Sequence, residues 1–329
     1  MKKGICGMKC AACIVHDRCG GCSICDYVFC QKNCEMCFCG CPKDKKIFAY
    51  VKNLQAYQAS KMIEPPPINL TEIIPVIPDR NVITECPYDI IGVHGETFFT
   101  SNGENIAKVY RNNGLQIKGK EGVLEFYVKD RILEGVWDNR KELYRQLKGF
   151  PWRAIISPNF SVYEDTPRID HLRNIERSTI MFDELVENNL PAVPDISWFN
   201  ANDLDRWTEE INTRNIKTIA FSFQVVGTGL RAANTYVHYA VGLDYLCKGI
   251  SPDVEIIIAG ITSPKRLEII RSAGIKNKFI VINQSAFIHS RRGQLSETGK
   301  KPQKELSKNE LFKINLKYYE DEYRRINNA

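Results

Sequence analysis

Short apolar runs alternate with amphipathic segments from about residue 89 to residue 305, and this alternation constrains the fold more than any other feature. The runs are rich in Ile, Val and Phe, which is typical of strands buried on both faces of a parallel sheet. The segments between them carry apolar residues at helical spacing, so they predict helices that pack on that sheet. The predicted strands span residues 89–93, 123–128, 153–156, 192–196, 217–223, 254–259 and 278–282. The predicted helices span residues 140–147, 167–188, 203–212, 231–247, 264–273 and 311–326.

The number of β–α units indicates the fold class. Six or seven strands with intervening helices favour an α/β fold, a TIM-like (β/α) barrel that is closed or nearly closed. A doubly wound open sheet is the alternative, although no G-x-G-x-x-G follows a strand, which disfavours a dinucleotide-binding fold. Residues 98–117 hold Gly and Asn between short apolar runs, a pattern that predicts hairpins.

The first 45 residues form a separate cysteine-rich module. Eleven of the thirteen cysteines lie there, and such a segment has little apolar surface to bury, so cross-links must hold it. The sequence shows no apolar leader and no run long enough to cross a bilayer, so we expect a cytoplasmic protein with reduced thiols and no membrane partner. In that compartment a cysteine cluster indicates metal binding. The candidate metal ligands are Cys6, Cys10, Cys13, Cys19, Cys22, Cys25, Cys30, Cys34, Cys37, Cys39 and Cys41.

The spacing of these thiols suits iron–sulfur clusters and zinc alike. The module contains C-x3-C-x2-C, C-x2-C-x2-C and C-x2-C-x3-C-P, and such short loops bring consecutive thiolates to one centre. The last two patterns are similar to bacterial ferredoxins, and small or apolar residues between the cysteines, such as Ala11, Ile24 and Phe38, favour iron–sulfur of the [4Fe–4S] type. Zinc is the alternative, and the grouping of the ligands stays open. The first pattern is also the spacing of radical SAM enzymes, but its position at residue 6, before any strand, favours one ligand group among several.

Proline content and charge define the remaining organisation. Prolines between residues 65 and 87 indicate an extended linker over 46–88. This linker joins the module at 1–45 to a barrel-like domain at 89–305, and a C-terminal helix follows at 306–329.

The net charge of +6 permits a nucleic-acid partner without requiring one. Arg291 and Arg292 begin a basic stretch that continues through Lys300 and Lys301 to Lys304 and Lys308, and this stretch is the candidate phosphate contact. The oligomeric state stays open.

Polar residues follow the carboxyl end of almost every predicted strand. In a barrel these ends meet on one face, where the active site is built. Asp130 and Asp195 are the candidate general bases, with Asp130 preferred because it ends a strand between Lys129 and Arg131. Asn159 is the third candidate catalytic residue. The candidate substrate-binding residues are Ser161, Trp198, Gln224, Asn283 and Arg292.

Two motifs in this region resemble a known family. Residues 157–163 read S-P-N-F-S-V-Y and residues 194–198 read P-D-I-S-W, and together with residues 126–130 they are similar to an uncharacterised domain-of-unknown-function family of phages, plasmids and bacteria. The resemblance covers about residues 120–285. It implies a barrel-like domain of a mobile element and brings no established activity.

A second, weaker likeness is to the tRNA-guanine transglycosylases, which are also barrels. Residues 260–268 resemble their G-x-G-T-P-x-x-L turn, residues 291–293 resemble their terminal R-x-G, and Asp130 stands where they keep a proton-transferring Asp. The family's nucleophilic carboxylate would be expected near Asn283, where this sequence has none.

These observations support two hypotheses of different classes. The first is a metal-cluster-containing barrel enzyme that modifies a nucleic acid, or a small base or nucleoside, by transglycosylase-like or redox-linked chemistry. The second is a non-catalytic, metal-dependent protein of a mobile element that binds nucleic acid or another protein. Loss of turnover on substitution of Asp130 or Asp195 would separate them.

Overall fold

A computed structural model of the chain describes residues 64–162, 168–224, 230–302 and 305–329. The cysteine-rich module and its eleven candidate ligands lie outside the described residues. The strands are β1 (Ile73–Pro75), β2 (Ile90–His94), β3 (Glu121–Glu125), β4 (Trp152–Ile156), β5 (Ala192–Val193), β6 (Thr218–Ser222), β7 (Glu255–Ala259) and β8 (Phe279–Asn283). The helices are α1 (Gly95–Phe98), α2 (Lys108–Asn113), α3 (Asp130–Leu147), α4 (Arg168–Glu187), α5 (Ala201–Thr213), α6 (Leu230–Gly249), α7 (Pro264–Arg271), α8 (Ser285–Arg292) and α9 (Lys308–Asn327).

The strands form two four-stranded parallel sheets, in the orders β1-β8-β7-β6 and β2-β3-β4-β5. Isolated parallel bridges connect the sheets at both edges, between Val76 and Gly92 and between Asp195 and Ala220. At the second bridge the Ile196 N–H donates to the Ala220 carbonyl at 2.8 Å. The predicted α/β class with parallel strands is therefore confirmed.

Two apolar cores lie on the two faces of the strands. The inner core takes side chains from all eight strands, and the outer core lies between strands and helices. In β8, Ile280 and Ile282 belong to the inner core, whereas Phe279 and Val281 belong to the outer core. This alternation follows from the two-residue period of a strand, and it explains why the strands read as continuous apolar runs.

Local sequence signals fix several helix ends. The Asn200 side chain accepts from the Asp203 N–H while the Asp203 carboxylate accepts from the Asn200 N–H, a capping box that starts α5. Ser307 and Glu310 form the same reciprocal pair at the start of α9. Among the described residues, no helix has the length and apolar character needed to cross a membrane.

The structure differs from the sequence prediction in four segments. Strand β1 lies inside the predicted linker, because its two isoleucines are completely buried against β8 although prolines surround them. Residues 98–117 form the end of α1, helix α2 and one isolated antiparallel bridge instead of hairpins. Helix α3 begins at Asp130, ten residues before its predicted start, and α8 was not predicted at all.

Candidate active site

A cleft of about 370 Å³ opens at the carboxyl ends of the strands. Its walls come from the segments that follow β2, β3, β4, β5 and β6, together with helix α6. Because parallel strands end at the same edge, residues far apart in sequence meet there. The lining residues are Glu96, Tyr127, Val128, Lys129, Asn159, Ser161, Val162, Ile196, Ser197, Trp198, Ser222, Gln224 and Tyr239.

Asp195 is a completely buried carboxyl group beside this cleft. The residues that follow it, Ile196 and Ser197, line the cleft, and so does Tyr127, whose hydroxyl donates to Asp195 Oδ1 at 2.7 Å. The Asp195 backbone N–H donates to Ser157 Oγ at 2.9 Å, which fixes the segment. Within the described part of the chain, Asp195 Oδ2 has no hydrogen-bond partner.

Burial controls the protonation of this carboxyl group. Removal from water raises the pKa of Asp195 from 3.8 to about 7, and the hydrogen bond from Tyr127 offsets part of the rise. Burial also raises the pKa of the Tyr127 phenol well above its ordinary value, and the nearby Asp195 charge adds to the effect. Near neutral pH the carboxyl group is therefore close to the midpoint of its titration, whereas the phenol stays protonated.

A second acid–base pair lies close to the first. The Tyr127 N–H donates to Glu125 Oε2 at 2.7 Å, and the other Glu125 oxygen hydrogen-bonds to His94 Nδ1. Burial lowers the pKa of the His94 imidazole, but the hydrogen bond and charge of Glu125 outweigh burial, so the pKa of His94 is raised. We call the connected groups His94, Glu125, Tyr127 and Asp195 the polar chain. It joins the ends of β2, β3 and the segment after β5.

The cleft mouth carries an ion pair. Lys129 Nζ lies 2.7 Å from Glu96 Oε1, and the Lys129 ammonium is the main reason why the pKa of Glu96 is lowered. Glu96 and Lys129 are the two charged residues among the described lining residues. Because they neutralise each other, this wall of the cleft presents no net charge.

Several predicted site residues meet at the cleft. Asn159, Ser161, Trp198 and Gln224 all line it, and Asp195 adjoins it. Asp130 is the first residue of α3, and the Ser161 hydroxyl donates to its Oδ1 at 2.6 Å. A carboxylate in a first helical turn is stabilised by the helix dipole, so Asp130 has a structural role whatever else it does.

The other two predicted binding residues lie away from the cleft walls. Asn283 is completely buried, donates to the Tyr323 hydroxyl at 2.7 Å and accepts from the Ala286 N–H at 2.9 Å. Its side chain therefore connects β8 to α8 and α9. Arg292 is exposed at the last residue of α8. Neither residue is among those that line the cleft.

The residues of this cleft lie in a segment that matches a known protein family. The DUF4417 family, described as a domain of unknown function, matches residues 87–269, which is more than half of the chain. The chain belongs to the DUF4417 family. No curated protein matches it significantly. The resemblance stated from the S-P-N-F-S-V-Y and P-D-I-S-W motifs is thus confirmed, over a range that both begins and ends earlier than the expected 120–285. Neither comparison supports the likeness to tRNA-guanine transglycosylases.

The DUF4417 match contains the whole cleft and the whole polar chain. Three members of that chain, His94, Glu125 and Tyr127, were not identified from the sequence. A signal for two of them exists, because Val123, Glu125 and Tyr127 alternate along one strand face. Val123 belongs to the inner core, so polar side chains at the next two inward positions indicate that the core ends there.

A rigid support holds one wall of the DUF4417 cleft. The Asn174 side-chain amide donates to the Ser161 carbonyl at 2.6 Å. The Arg177 guanidinium lies 3.8 Å from the Phe160 ring centroid and makes two hydrogen bonds to Glu134, at 2.8 and 2.9 Å. This bidentate, stacked arrangement fixes the loop that presents Asn159 and Ser161.

Trp198 lines the cleft, but most of its ring is packed against the protein. Its ring stacks on His238 with 4.8 Å between centroids and is nine-tenths buried. Any side chain at Gly242 would collide with it, because a Cβ there would come within 2.4 Å of the indole. The predicted stacking of Trp198 on a base stays a prediction, and it could use only the part of the ring that lines the cleft.

Proposed function

We propose that the two sheets of this DUF4417 protein form one closed (β/α) barrel of eight strands. Three observations support the proposal: all neighbouring strands are parallel, bridges connect both pairs of sheet edges, and the inner core draws on every strand. A closed barrel leaves no exposed strand edge and collects all strand ends into one site. The position of the cleft at those ends agrees with this architecture.

We infer that the protein is an enzyme that transfers a proton to or from a small base or nucleoside, free or within a nucleic acid. The observation that carries this inference is the buried Asp195 beside the cleft, with a pKa of about 7 and a hydrogen bond from Tyr127. A general base is most effective when its pKa lies near the working pH. Perturbed carboxyl groups in clefts are typical of catalytic sites.

The geometry suggests how a buried carboxylate could act on a substrate in the cleft. A substrate N–H or O–H bond breaks as its proton passes to the Tyr127 hydroxyl oxygen. In the same step the Tyr127 O–H bond breaks and that proton forms a bond with Asp195 Oδ1. Tyr127 stays neutral throughout, in agreement with its strongly raised pKa, and the negative charge moves from Asp195 to the substrate. Reversal of the relay protonates the product.

The test is a search for turnover with matched variants. The full chain is incubated with nucleobases, nucleosides, RNA and DNA, and products and solvent deuterium incorporation are followed by mass spectrometry. We expect turnover or exchange in the wild-type protein and in Asp89→Asn, whose carboxylate is exposed, and loss of both in Asp195→Asn and Tyr127→Phe. Asp130→Asn tests the base preferred from the sequence. Undiminished turnover in Asp195→Asn would refute the assignment, and no turnover with any probe would favour the non-catalytic binding protein.

We also propose that the cysteine-rich module binds iron–sulfur clusters, with zinc as the alternative. The support is the donor set: eleven thiols in short repeated spacings suit either metal. Bound clusters would supply electron transfer, whereas zinc would be structural. Anaerobic purification followed by absorption spectroscopy and assay of iron, sulfide and zinc decides between them. Broad absorption near about 400 nm with iron and sulfide supports clusters, and a colourless zinc protein supports the alternative.

A further inference from the structure

One buried hydroxyl group at the cleft lacks a partner. Ser197 lines the cleft and is 3% exposed, yet its Oγ makes no hydrogen bond within the described residues. A buried polar group without a partner costs roughly 1–3 kcal/mol. Such groups in a folded protein call for an explanation, and a ligand that is absent from the free protein is one.

The backbone around this hydroxyl group is held from three sides. The Ser197 N–H donates to the Asp195 carbonyl at 3.0 Å, and the Trp207 indole N–H donates to the Ser197 carbonyl at 2.9 Å. The preceding residue, Ile196, hydrogen-bonds to β6. The segment is therefore preorganised, and it holds Ser197 in place at the wall of the cleft.

Tyr127 offers the complementary hydrogen-bonding character on the same cleft. When Asp195 is ionised, the Tyr127 hydroxyl proton is directed to it, so the Tyr127 oxygen can serve a ligand only as an acceptor. The Ser197 hydroxyl makes no hydrogen bond within the described residues, so it can donate one to a ligand. The two groups together present one acceptor and one donor. Both side chains line the cleft, and Asp195, which accepts the hydrogen bond from Tyr127, is two residues before Ser197 in the chain.

We propose that Tyr127 and Ser197 read the donor–acceptor edge of an uncharged heterocyclic base. The ring N–H donates to the Tyr127 oxygen, and the adjacent carbonyl or ring nitrogen accepts from the Ser197 hydroxyl. This rests on the proposed function, because the N–H that binds Tyr127 is the group that the relay deprotonates. Ser197 is then a specificity-determining residue and not a proton-transfer group.

The charge of the cleft narrows the ligand class further. Its charged lining residues in the described ranges, Glu96 and Lys129, are paired with each other, so none of them is available to a phosphate group. A phosphate is normally held by arginine, lysine or a helix N-terminus. A free base or a nucleoside needs no such group, so we expect it to bind at least as tightly as its monophosphate.

Calorimetric titration of the full chain tests the proposal. The probes are uracil, cytosine, hypoxanthine and adenine, their nucleosides, and the 5′-monophosphates. We expect at least one base or nucleoside to bind and its monophosphate to bind no more tightly. Methylation of the edge nitrogen should weaken binding at least tenfold. Ser197→Ala and Tyr127→Phe should each weaken it roughly 3- to 10-fold, as expected for one neutral hydrogen bond.

A control and a discriminating variant complete the experiment. Ser178→Ala removes another buried serine hydroxyl, on α4 and outside the cleft lining, and should leave affinity unchanged. Asp195→Asn separates the two proposals, because the introduced amide oxygen still accepts from Tyr127, so binding persists while turnover is lost. Unchanged affinity in Ser197→Ala, equal affinity for the N-methylated base, or tighter binding of the monophosphate would each overturn the recognition proposal alone. No binding by any probe would overturn it together with the substrate class of the proposed function.

Discussion

Replacement of Asp195 by Asn should stabilise the protein at alkaline pH and leave it nearly unchanged in acid. The pKa of Asp195 is raised from 3.8 to about 7 by burial. A shift of about three units, at about 1.4 kcal/mol each, corresponds to at most about 4 kcal/mol. Because the folded state holds the proton more tightly than the unfolded state, the wild-type protein loses this free energy of unfolding as the pH rises from about 4 to about 7. An amide cannot ionise, so the variant avoids the loss.

Urea denaturation at intervals between pH 4 and pH 8 measures the effect. The difference in the free energy of unfolding between Asp195→Asn and the wild-type protein should be small at pH 4, increase through pH 5 and 6, and level off above pH 7. Asp89→Asn changes an exposed carboxylate and should follow the wild-type curve within about 0.5 kcal/mol. A difference that is independent of pH, or a variant less stable than the wild-type protein at pH 8, would refute the reasoning about burial.

Three further predictions use the same denaturation assay. Tyr127→Phe removes the hydrogen bond that lowers the pKa of Asp195, so the midpoint of the pH-dependent loss of stability should move to higher pH. A midpoint that stays in place would contradict the assigned contact. Gly242→Ala places a Cβ within 2.4 Å of Trp198 and should cost about 1–3 kcal/mol, whereas Gly149→Ala, which approaches only one atom at 3.3 Å, should cost less than about 1 kcal/mol. Glu184→Ala leaves Arg140, Lys141 and Tyr144 without their buried acceptor and should lower the free energy of unfolding by about 3 kcal/mol. A decrease of less than about 1 kcal/mol would show that water replaces the Glu184 carboxylate as the acceptor.

The strands of the domain were largely predictable because burial on both faces leaves a clear signal. Seven of the eight observed strands overlap predicted ones, since Ile and Val fill inner and outer positions alike. Strand β1 was missed because it is three residues long and ends in Pro75. Proline normally argues against a strand. Here Pro75 occurs at the last strand position, and the next residue, Val76, supplies an N–H to the Asn283 carbonyl at 2.9 Å.

The candidate site was only partly predictable, because polar residues at strand ends serve two purposes. Asn159 and Gln224 line the cleft, whereas Asn283, chosen by the same rule, links β8 to the neighbouring helices. The difference depends on Tyr323, forty residues further along, and nothing near Asn283 in the sequence indicates that α9 would reach it. The role of Asp130 was equally hard to predict. A carboxylate after a strand and a carboxylate at the first position of a helix look the same in a sequence until the start of the helix is known.

If Asp195 is the proposed general base, its burial favours catalysis and disfavours stability at neutral pH. A carboxyl group with its ordinary pKa of 3.8 would be fully ionised at neutral pH, and it would be a weak base toward a substrate N–H. The desolvation that brings its pKa to about 7 makes it a stronger base, and the same desolvation destabilises the folded protein by up to about 4 kcal/mol once the group ionises. Both effects have one physical origin, so Asp195→Asn must change them together. If the proposed function is correct, the variant that is most stable at pH 8 is also the one that has lost turnover. A variant that gained stability at pH 8 and kept its turnover would show that the buried carboxyl group belongs to the fold and not to the chemistry.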